Sequence, residues 1–117
     1  MKQIEFKYWN SCIEDYRNII KPYLDSADSF EIHCWNEEKD IFSKALEYGT
    51  QVKNDWNYGK VAKGEVNEKF INFILSQPKP DDIDLFEKFT PFFNIFLYRN
   101  GEMIFSSSHY GTDIYSE

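Results

Sequence analysis

The chain has 117 residues, of which 20 are acidic and 13 are basic, so its formal net charge is −7. A chain of this length buries a core without metal ions or disulfides, and we expect residues 1–117 to form a single α/β domain. The acidity argues against nucleic-acid binding, which needs clustered Lys and Arg, and no apolar run is long enough to cross a bilayer. The N-terminus lacks the apolar block of a secretory signal, which predicts a cytoplasmic protein.

The charge is distributed unevenly along the chain. Residues 1–38 carry a net charge of −4, residues 39–80 carry +2 and residues 81–117 carry −5. If the two ends meet in one sheet, their carboxylates form an acidic face that steers a basic partner and raises its association rate. The alternative is that the acidity only keeps a small protein soluble.

The two cysteines, Cys12 and Cys34, are far apart and match no metal-binding spacing. This predicts reduced thiols rather than a disulfide framework or a zinc site, with a single Cys12–Cys34 bridge as the alternative. Cys34 is in phase with Phe30 and Ile32, which predicts an inert core thiol. Its neighbour His33 is expected on the opposite face of the same strand.

The N-terminal part of the chain predicts a strand followed by a helix. Residues 3–9 alternate between apolar and polar side chains, the pattern of a strand. Ser11 and Glu14 then have the spacing of a capping box, and residues 13–24 carry an apolar stripe at helical spacing. Because Pro22 cannot donate a backbone hydrogen bond, we expect a kink or an early end of this helix beside it.

A second strand and a second helix follow. Residues 30–34 alternate again, and Asn36 can cap a helix in which the apolar residues of 41–46 share a face. Gly49 is a natural stop for that helix. Residues 49–64 are irregular in pattern, and a connection of this length is either functional or partly helical.

The C-terminal half predicts a third helix and a β-hairpin. Helical spacing resumes at Glu65 and ends at Pro78, and Asp82 can cap one further turn. Asn100 and Gly101 lie between two apolar runs, the chemistry of a two-residue type I′ turn. The whole chain thus predicts an α+β or α/β domain with a central sheet of about four strands, three main helices and a C-terminal antiparallel hairpin. The first two strands should run parallel if they lie in one sheet.

Regular pairing about the hairpin turn places Leu97 opposite Ile104 and Phe96 opposite Phe105. One face of the hairpin then carries four apolar or aromatic side chains, Phe96, Tyr98, Met103 and Phe105, and the other carries Ile95, Leu97 and Ile104. Since both faces are apolar, either helices cover both of them or one face is reserved for another chain.

No catalytic, cofactor or metal fingerprint is present. Residues 106–113 contain serines, His109 and Asp113, the residue types of a catalytic triad, but no nucleophile elbow accompanies them, and a polar tail after the last strand is expected. The acids of residues 81–87 lack the glycine of a calcium loop and suit a helix N-terminus. We therefore expect no cofactor, no bound metal and no enzymatic activity.

Trp56 and Tyr58 are the most informative residues of the irregular segment 49–64. Large aromatic side chains with few torsions are enriched at interaction hot spots. The alternative is that both rings fold back onto the core. The partner-binding candidates are these two rings and four carboxylates: Trp56, Tyr58, Asp55, Glu37, Glu38 and Asp113.

In size, acidity and aromatic content the chain resembles the small immunity proteins that bacteria carry beside polymorphic or contact-dependent toxins. The resemblance rests on Trp35-Asn36-Glu37-Glu38, on the Trp56/Tyr58 segment, and on the hairpin about Asn100-Gly101 with its Ser-rich, acidic end. It implies a cytoplasmic bacterial protein that binds and blocks a cognate toxin, often a nuclease with a basic cleft. An inhibitor needs a complementary surface and no chemistry, in keeping with the lack of a catalytic fingerprint.

The sequence therefore predicts a non-enzymatic inhibitor that neutralises a basic toxin through an acidic, aromatic surface. A first alternative is a homodimeric interaction module that pairs through the Phe96/Tyr98/Met103/Phe105 face. A second alternative is a small enzyme that uses His109 or Cys34.

Overall fold

The computed structural model describes residues 1–5, 12–80 and 88–117, which form an α+β fold. The described elements are β1 (Lys2–Ile4), α1 (Ile13–Ser26), β2 (Ser29–Trp35), α2 (Lys39–Ala45), β3 (Thr50–Val52), β4 (Gly59–Glu65), α3 (Glu68–Leu75), β5 (Asn94–Arg99), β6 (Glu102–Ser108) and β7 (Asp113–Ser116). Three helices were expected, but the sheet has seven strands rather than about four. None of the helices in this part of the chain has both the length and the apolar character needed to cross a bilayer.

The seven strands form one sheet in the order β1-β7-β6-β5-β2-β4-β3. Every neighbouring pair is antiparallel. Strands β1 and β2 consequently run in the same direction, as expected for two strands of one sheet, but β7, β6 and β5 lie between them. The first and last strands pair with each other, so the two acidic ends of the chain do meet in the sheet.

Strands β3, β4 and β7 were not predicted. Strand β4 contains two glycines and two lysines, which are poor strand formers, and it is a strand because β2 and β3 pair along its two edges. Strand β7 lies between β6 and β1, where a polar tail was expected. In each case the neighbouring strand, rather than local propensity, determines the conformation.

Helix α1 begins one residue later than the predicted capping box. The backbone N–H of Cys12 donates to the Asp15 carboxylate at 2.9 Å, while Ser11 lies outside the described residues. The helix continues for four residues beyond Pro22, so the expected early end is wrong. Pro22 and Asn18 are both exposed, and the carbonyl that the proline leaves without a helical donor can bond water.

The second and third helices have different caps from those expected. Asn36 does not cap α2, because its side chain donates to the carbonyl of Asn57 at 3.0 Å. Helix α3 starts later than Glu65 because that residue still belongs to β4, and its cap is Asn67, whose side chain accepts from the backbone N–H of Phe70 at 2.9 Å. The turn predicted at residue 82 lies outside the described residues.

The three helices pack on one side of the sheet, which we call the helix face. Phe30 of β2 stacks on Phe70 of α3 with ring centroids 3.9 Å apart, and Tyr23 of α1 stacks on Phe105 of β6 at 4.9 Å. Cys34 is fully buried in the same core, as its spacing predicted. The core therefore lies between the helices and one face of the sheet.

A β-bulge in the C-terminal hairpin changes the face that Phe105 occupies. The turn at Asn100-Gly101 is present, with φ of 52° and 81°. The predicted pairing of Leu97 with Ile104 and of Phe96 with Phe105 is wrong, since Leu97 pairs with Phe105 and Ile104 becomes the extra residue. The bulge places Phe105 and Ile104 among the buried core residues, where a regular hairpin would direct Phe105 away from the helices.

Candidate protein-binding surface

The side of the sheet opposite the helices, which we call the open face, carries no described helix. It consists of the odd-numbered residues of β2, β4 and β7, the even-numbered residues of β3 and β5, and Gln3, Met103, Ser106 and Ser108. The sequence left two possibilities for the apolar faces of the hairpin: helices cover both faces, or one face is reserved for another chain. Within the described residues, the first possibility is wrong. Most aromatic side chains of the open face are half-buried rather than enclosed, among them Trp35, Phe96, Tyr98 and Tyr115.

Three half-buried rings gather at one end of the open face, and we call Trp35, Trp56 and Phe93 the aromatic cluster. The ring centroids of Trp35 lie 4.8 Å from Trp56 and 5.0 Å from Phe93, and Trp56 stacks on Phe93 at 5.8 Å. Both histidines border the cluster, His33 at 6.1 Å from the Trp56 ring and His109 at 5.5 Å from the Phe93 ring. The three rings therefore pack against one another and leave no space between them for a ligand group.

The loop that carries Trp56 is fixed through its backbone. The side chain of Asn54 accepts the Trp56 N–H at 3.1 Å. Asn36 donates its backbone N–H to the carbonyl of Tyr58 at 2.9 Å and its side-chain amide to the carbonyl of Asn57 at 3.0 Å. These bonds tie the segment that joins β3 and β4 to the turn that follows β2, so the loop side chains are presented from an ordered backbone.

Three of the predicted binding residues lie on the exposed side of this arrangement. The Tyr58 side chain is 70 % exposed, and Asp55 and Glu37 are exposed as well. Trp56 is half-buried against Trp35 and Phe93 in the aromatic cluster, whereas Tyr58 points away from it into solvent. We call Tyr58, Asp55 and Glu37 the loop rim, because the Asn36 bonds bring their two chain segments together.

Glu38 has a different position from its neighbour Glu37. One of its carboxylate oxygens accepts the backbone N–H of Trp35 at 2.9 Å, and the other accepts the hydroxyl of Tyr110 at 3.0 Å. Its carboxylate therefore connects the turn after β2 with the turn between β6 and β7.

Asp113 lies on the open face but away from the loop rim. It begins β7, which is separated from β2 by β5 and β6. Its carboxylate accepts from the Gln3 side chain at 3.4 Å and lies 3.8 Å from Nδ1 of His109. Five of the six predicted residues thus come from the two segments near the aromatic cluster, and Asp113 does not.

Sequence reasoning missed a polar cluster at the centre of the open face. The Glu31 side chain, 16 % exposed, lies 3.3 Å from Nζ of Lys63 and 3.2 Å from Nε2 of His33, and it accepts the Tyr98 hydroxyl at 3.4 Å. Burial, with the charge of Glu31 second, raises the pKa of Tyr98. On the far side of the imidazole ring, Asn94 lies 3.4 Å from Nδ1 of His33. Glu31 and Lys63 are direct cross-strand neighbours, a relationship that exists only once the unpredicted strand β4 is paired.

Ser107, one of the serines of the enzyme alternative, does not face His109. Ser107 is buried on the helix face, where its hydroxyl shares a 2.7 Å hydrogen bond with Tyr16, while the side chain of His109 is largely exposed. Cys34 and Cys12 are free thiols, and burial, assisted by the charge of Glu38, raises the pKa of Cys34 to about 12. The reactive thiolate of Cys34 is therefore strongly disfavoured at neutral pH.

Among the described residues, no group of three or more His, Cys, Asp and Glu side chains is arranged to hold a metal ion. The acidic segment 81–87 lies outside those residues. No protein-family model matches the chain, and no curated protein or solved structure matches it significantly.

Proposed function

We propose that this chain is a cytoplasmic protein-binding inhibitor, an immunity protein that neutralises a basic cognate toxin through the loop rim and the aromatic cluster. The observation that carries the proposal is Tyr58, a large ring that is 70 % exposed although its loop backbone is fixed by hydrogen bonds. A folded chain gains no stability from displaying such a ring, whereas a binding surface does gain from it.

The physical basis is preorganisation. An ordered loop loses little conformational entropy when a partner binds, and tyrosine has only two side-chain torsions to fix. The carboxylates of Asp55 and Glu37 beside it, together with the net charge of −7, favour encounter with a positively charged protein. A nuclease with a phosphate-binding cleft is such a protein, and its cleft is blocked when an acidic surface occupies it.

The experiment pairs the chain with the toxin domain encoded beside its gene. Growth of a bacterium that expresses the toxin domain is measured with and without the chain, and the dissociation constant of the purified complex is measured by calorimetry. We expect rescue by the natural chain, and we expect Tyr58→Ala to weaken binding by about 30-fold or more, the scale of a hot-spot residue.

Leu46→Ala is the matched control. Leu46, which follows α2, is another large apolar residue with an exposed side chain, but it lies outside the loop rim. It should leave rescue and affinity unchanged. Failure of the natural chain to rescue growth contradicts the inhibitor function, and equal effects of the two variants contradict the role of Tyr58.

A homodimeric interaction module is the second candidate. Phe96, Tyr98 and Met103 are half-buried on the open face, where a second copy could cover them. The fourth residue expected on that face, Phe105, is in the core. Sedimentation equilibrium over a hundred-fold range of concentration tests this candidate, since a monomer mass throughout contradicts it.

A further inference from the structure

Charged side chains of the described strands are segregated between the two faces of the sheet. Cross-strand pairing places three acids on the open face against the single base Lys63; the acids are Glu31, Glu65 and Asp113. On the helix face the strands carry the reverse, one acid against three bases; these residues are Glu102, Lys2, Lys60 and Arg99. The strand side chains therefore give the open face a net charge of −2 and the helix face a net charge of +2. This separation depends on the register, because a shift of one residue exchanges the two faces of a strand.

A shallow cavity lies on the open face at the end of β2 opposite the aromatic cluster. Its volume is about 230 Å³, and it is lined by the open-face residues Ser29, Lys63 and Tyr98 together with Phe30, Gly64 and Gly101. Pockets for small-molecule ligands are larger, at about 300–1,000 Å³. A cavity of this size suits one long side chain of a partner. Glu65, which does not line the cavity, is exposed and directly opposite Ser29 in the neighbouring strand, so an acidic residue lies at the same end of the open face.

We propose that the open face binds an arginine-bearing segment of a protein partner, which lies along β2 from the aromatic cluster to this cavity. The proposal rests on the inhibitor function and names the chemistry that its partner presents. Guanidinium groups stack on aromatic rings and form forked hydrogen bonds with carboxylates. The open face offers aromatic rings and carboxylates one after the other along β2. Ser29 and Trp35 mark the two ends, about 20 Å apart at the rise of a strand.

Charge selects this occupant over a second copy of the chain. Two open faces in contact would oppose two surfaces of net negative charge, and the repulsion would act on the half-buried carboxylates of Glu31 and Asp113. A cationic segment instead neutralises the face. Lys63 is the one base of the strands on this face, and its ammonium group neutralises Glu31 at 3.3 Å in the free protein. An incoming guanidinium competes with Lys63 for that carboxylate.

The test uses octa-arginine and octa-lysine peptides as probes, which are long enough to span the face. Nuclear magnetic resonance follows the Trp35 and Trp56 indole N–H groups and the Met103 methyl group on the open face, with the Leu46 methyl groups as the reference elsewhere. We expect octa-arginine to shift the three open-face signals and to bind more tightly than octa-lysine, since ammonium stacks less well on rings. Shifts confined to Leu46, or equal affinity for the two peptides, overturn the proposal.

Single substitutions then distinguish the effect of the open-face charges on peptide binding from the effect of the protein's overall negative charge. We expect Glu65→Gln and Asp113→Asn each to weaken octa-arginine binding by about 2- to 5-fold, the scale of one exposed charge pair. Glu102→Gln removes an equal charge from the helix face and should have no effect. Lys63→Gln should tighten binding. An equal loss for Glu102→Gln, or weaker binding with Lys63→Gln, overturns the proposal.

The outcomes distinguish this proposal from the inhibitor function. Octa-arginine binding to the open face needs no toxin, so it can succeed while the growth-rescue experiment fails. Conversely, a chain that rescues growth but whose open-face variants bind toxin normally contradicts this inference alone. A stable dimer that buries Met103 in the absence of peptide also overturns it.

Discussion

Trp56 packs its indole ring against the backbone of Gly59, so closely that a Cβ atom at position 59 would overlap the ring. Gly59 is also the first residue of β4, where it pairs with Trp35 of β2. The absence of a side chain at this one position therefore lets the aromatic cluster close over the end of the sheet.

Gly59→Ala should displace the Trp56 ring and destabilise the fold by about 1–3 kcal/mol, the usual cost of overpacking. Urea unfolding measures the stability, and tryptophan fluorescence should shift to longer wavelength as the ring becomes more exposed. Gly101→Ala is the control, because Gly101 has φ of 81° and no atom within 4 Å of an added Cβ. It should destabilise through backbone strain while the tryptophan emission stays unchanged; a matching shift would contradict the explanation.

The buried hydrogen bond between Tyr16 and Ser107 joins helix α1 to strand β6 at 2.7 Å. Tyr16→Phe leaves the serine hydroxyl buried without this partner, so we expect a loss of about 1–3 kcal/mol in the free energy of unfolding. Ser107→Ala removes the other member. The double variant should lose less than the sum of the single losses, and strict additivity in chemical denaturation would show that the bond contributes nothing.

Alkaline pH should destabilise the protein through Cys34. Burial raises its pKa from 9.0 to about 12, so the unfolded chain releases the thiol proton at lower pH than the folded chain. Stability from this group is complete below pH 9 and declines as the pH rises towards 12. Tyr16 and Tyr98, whose pKa values burial also raises, add to the decline.

Comparison of the natural chain with Cys34→Ala checks this by urea unfolding between pH 8 and pH 11. The variant will be less stable overall because of the smaller core side chain, but its stability should fall less steeply with pH. Equal slopes would exclude a role for Cys34. A thiol reagent at neutral pH should label Cys12 in the folded protein and Cys34 only after denaturation.

Substitutions of the adjacent acids Glu37 and Glu38 should have different effects, one on toxin association and the other on folding stability. Glu38→Gln weakens the bonds to the Trp35 N–H and the Tyr110 hydroxyl, so we expect a loss of about 1–3 kcal/mol in stability. Glu37→Gln should change stability by less than about 0.5 kcal/mol and should slow association with the cognate toxin at low salt. Thermal unfolding and stopped-flow association measure the two effects, and a reversed pattern would contradict the positions assigned to these carboxylates.

The sequence predicted those elements whose pattern is contained in a short stretch of the chain. The Asn100-Gly101 turn needs positive φ at both residues, and the apolar stripe of α1 needs only helical spacing, so both were predicted from short stretches of sequence. The alternation of β2 likewise predicted that Cys34 enters the core while His33 does not. Of the candidate site, Tyr58 was proposed from residue type alone, and the sequence left open whether its ring is exposed.

Only the tertiary structure decided which strands pair and which face each residue occupies. The Gly- and Lys-containing strand β4 has no strong propensity of its own, and pairing with β2 places Lys63 against Glu31. The bulge at Ile104 inverts the expected face of Phe105, because burial of that ring against Tyr23 outweighs regular pairing. A single-residue change of register exchanges the two faces of a strand. Sequence alone therefore determined the charges of this protein, and packing decided that the acids of its strands collect on the side away from the helices.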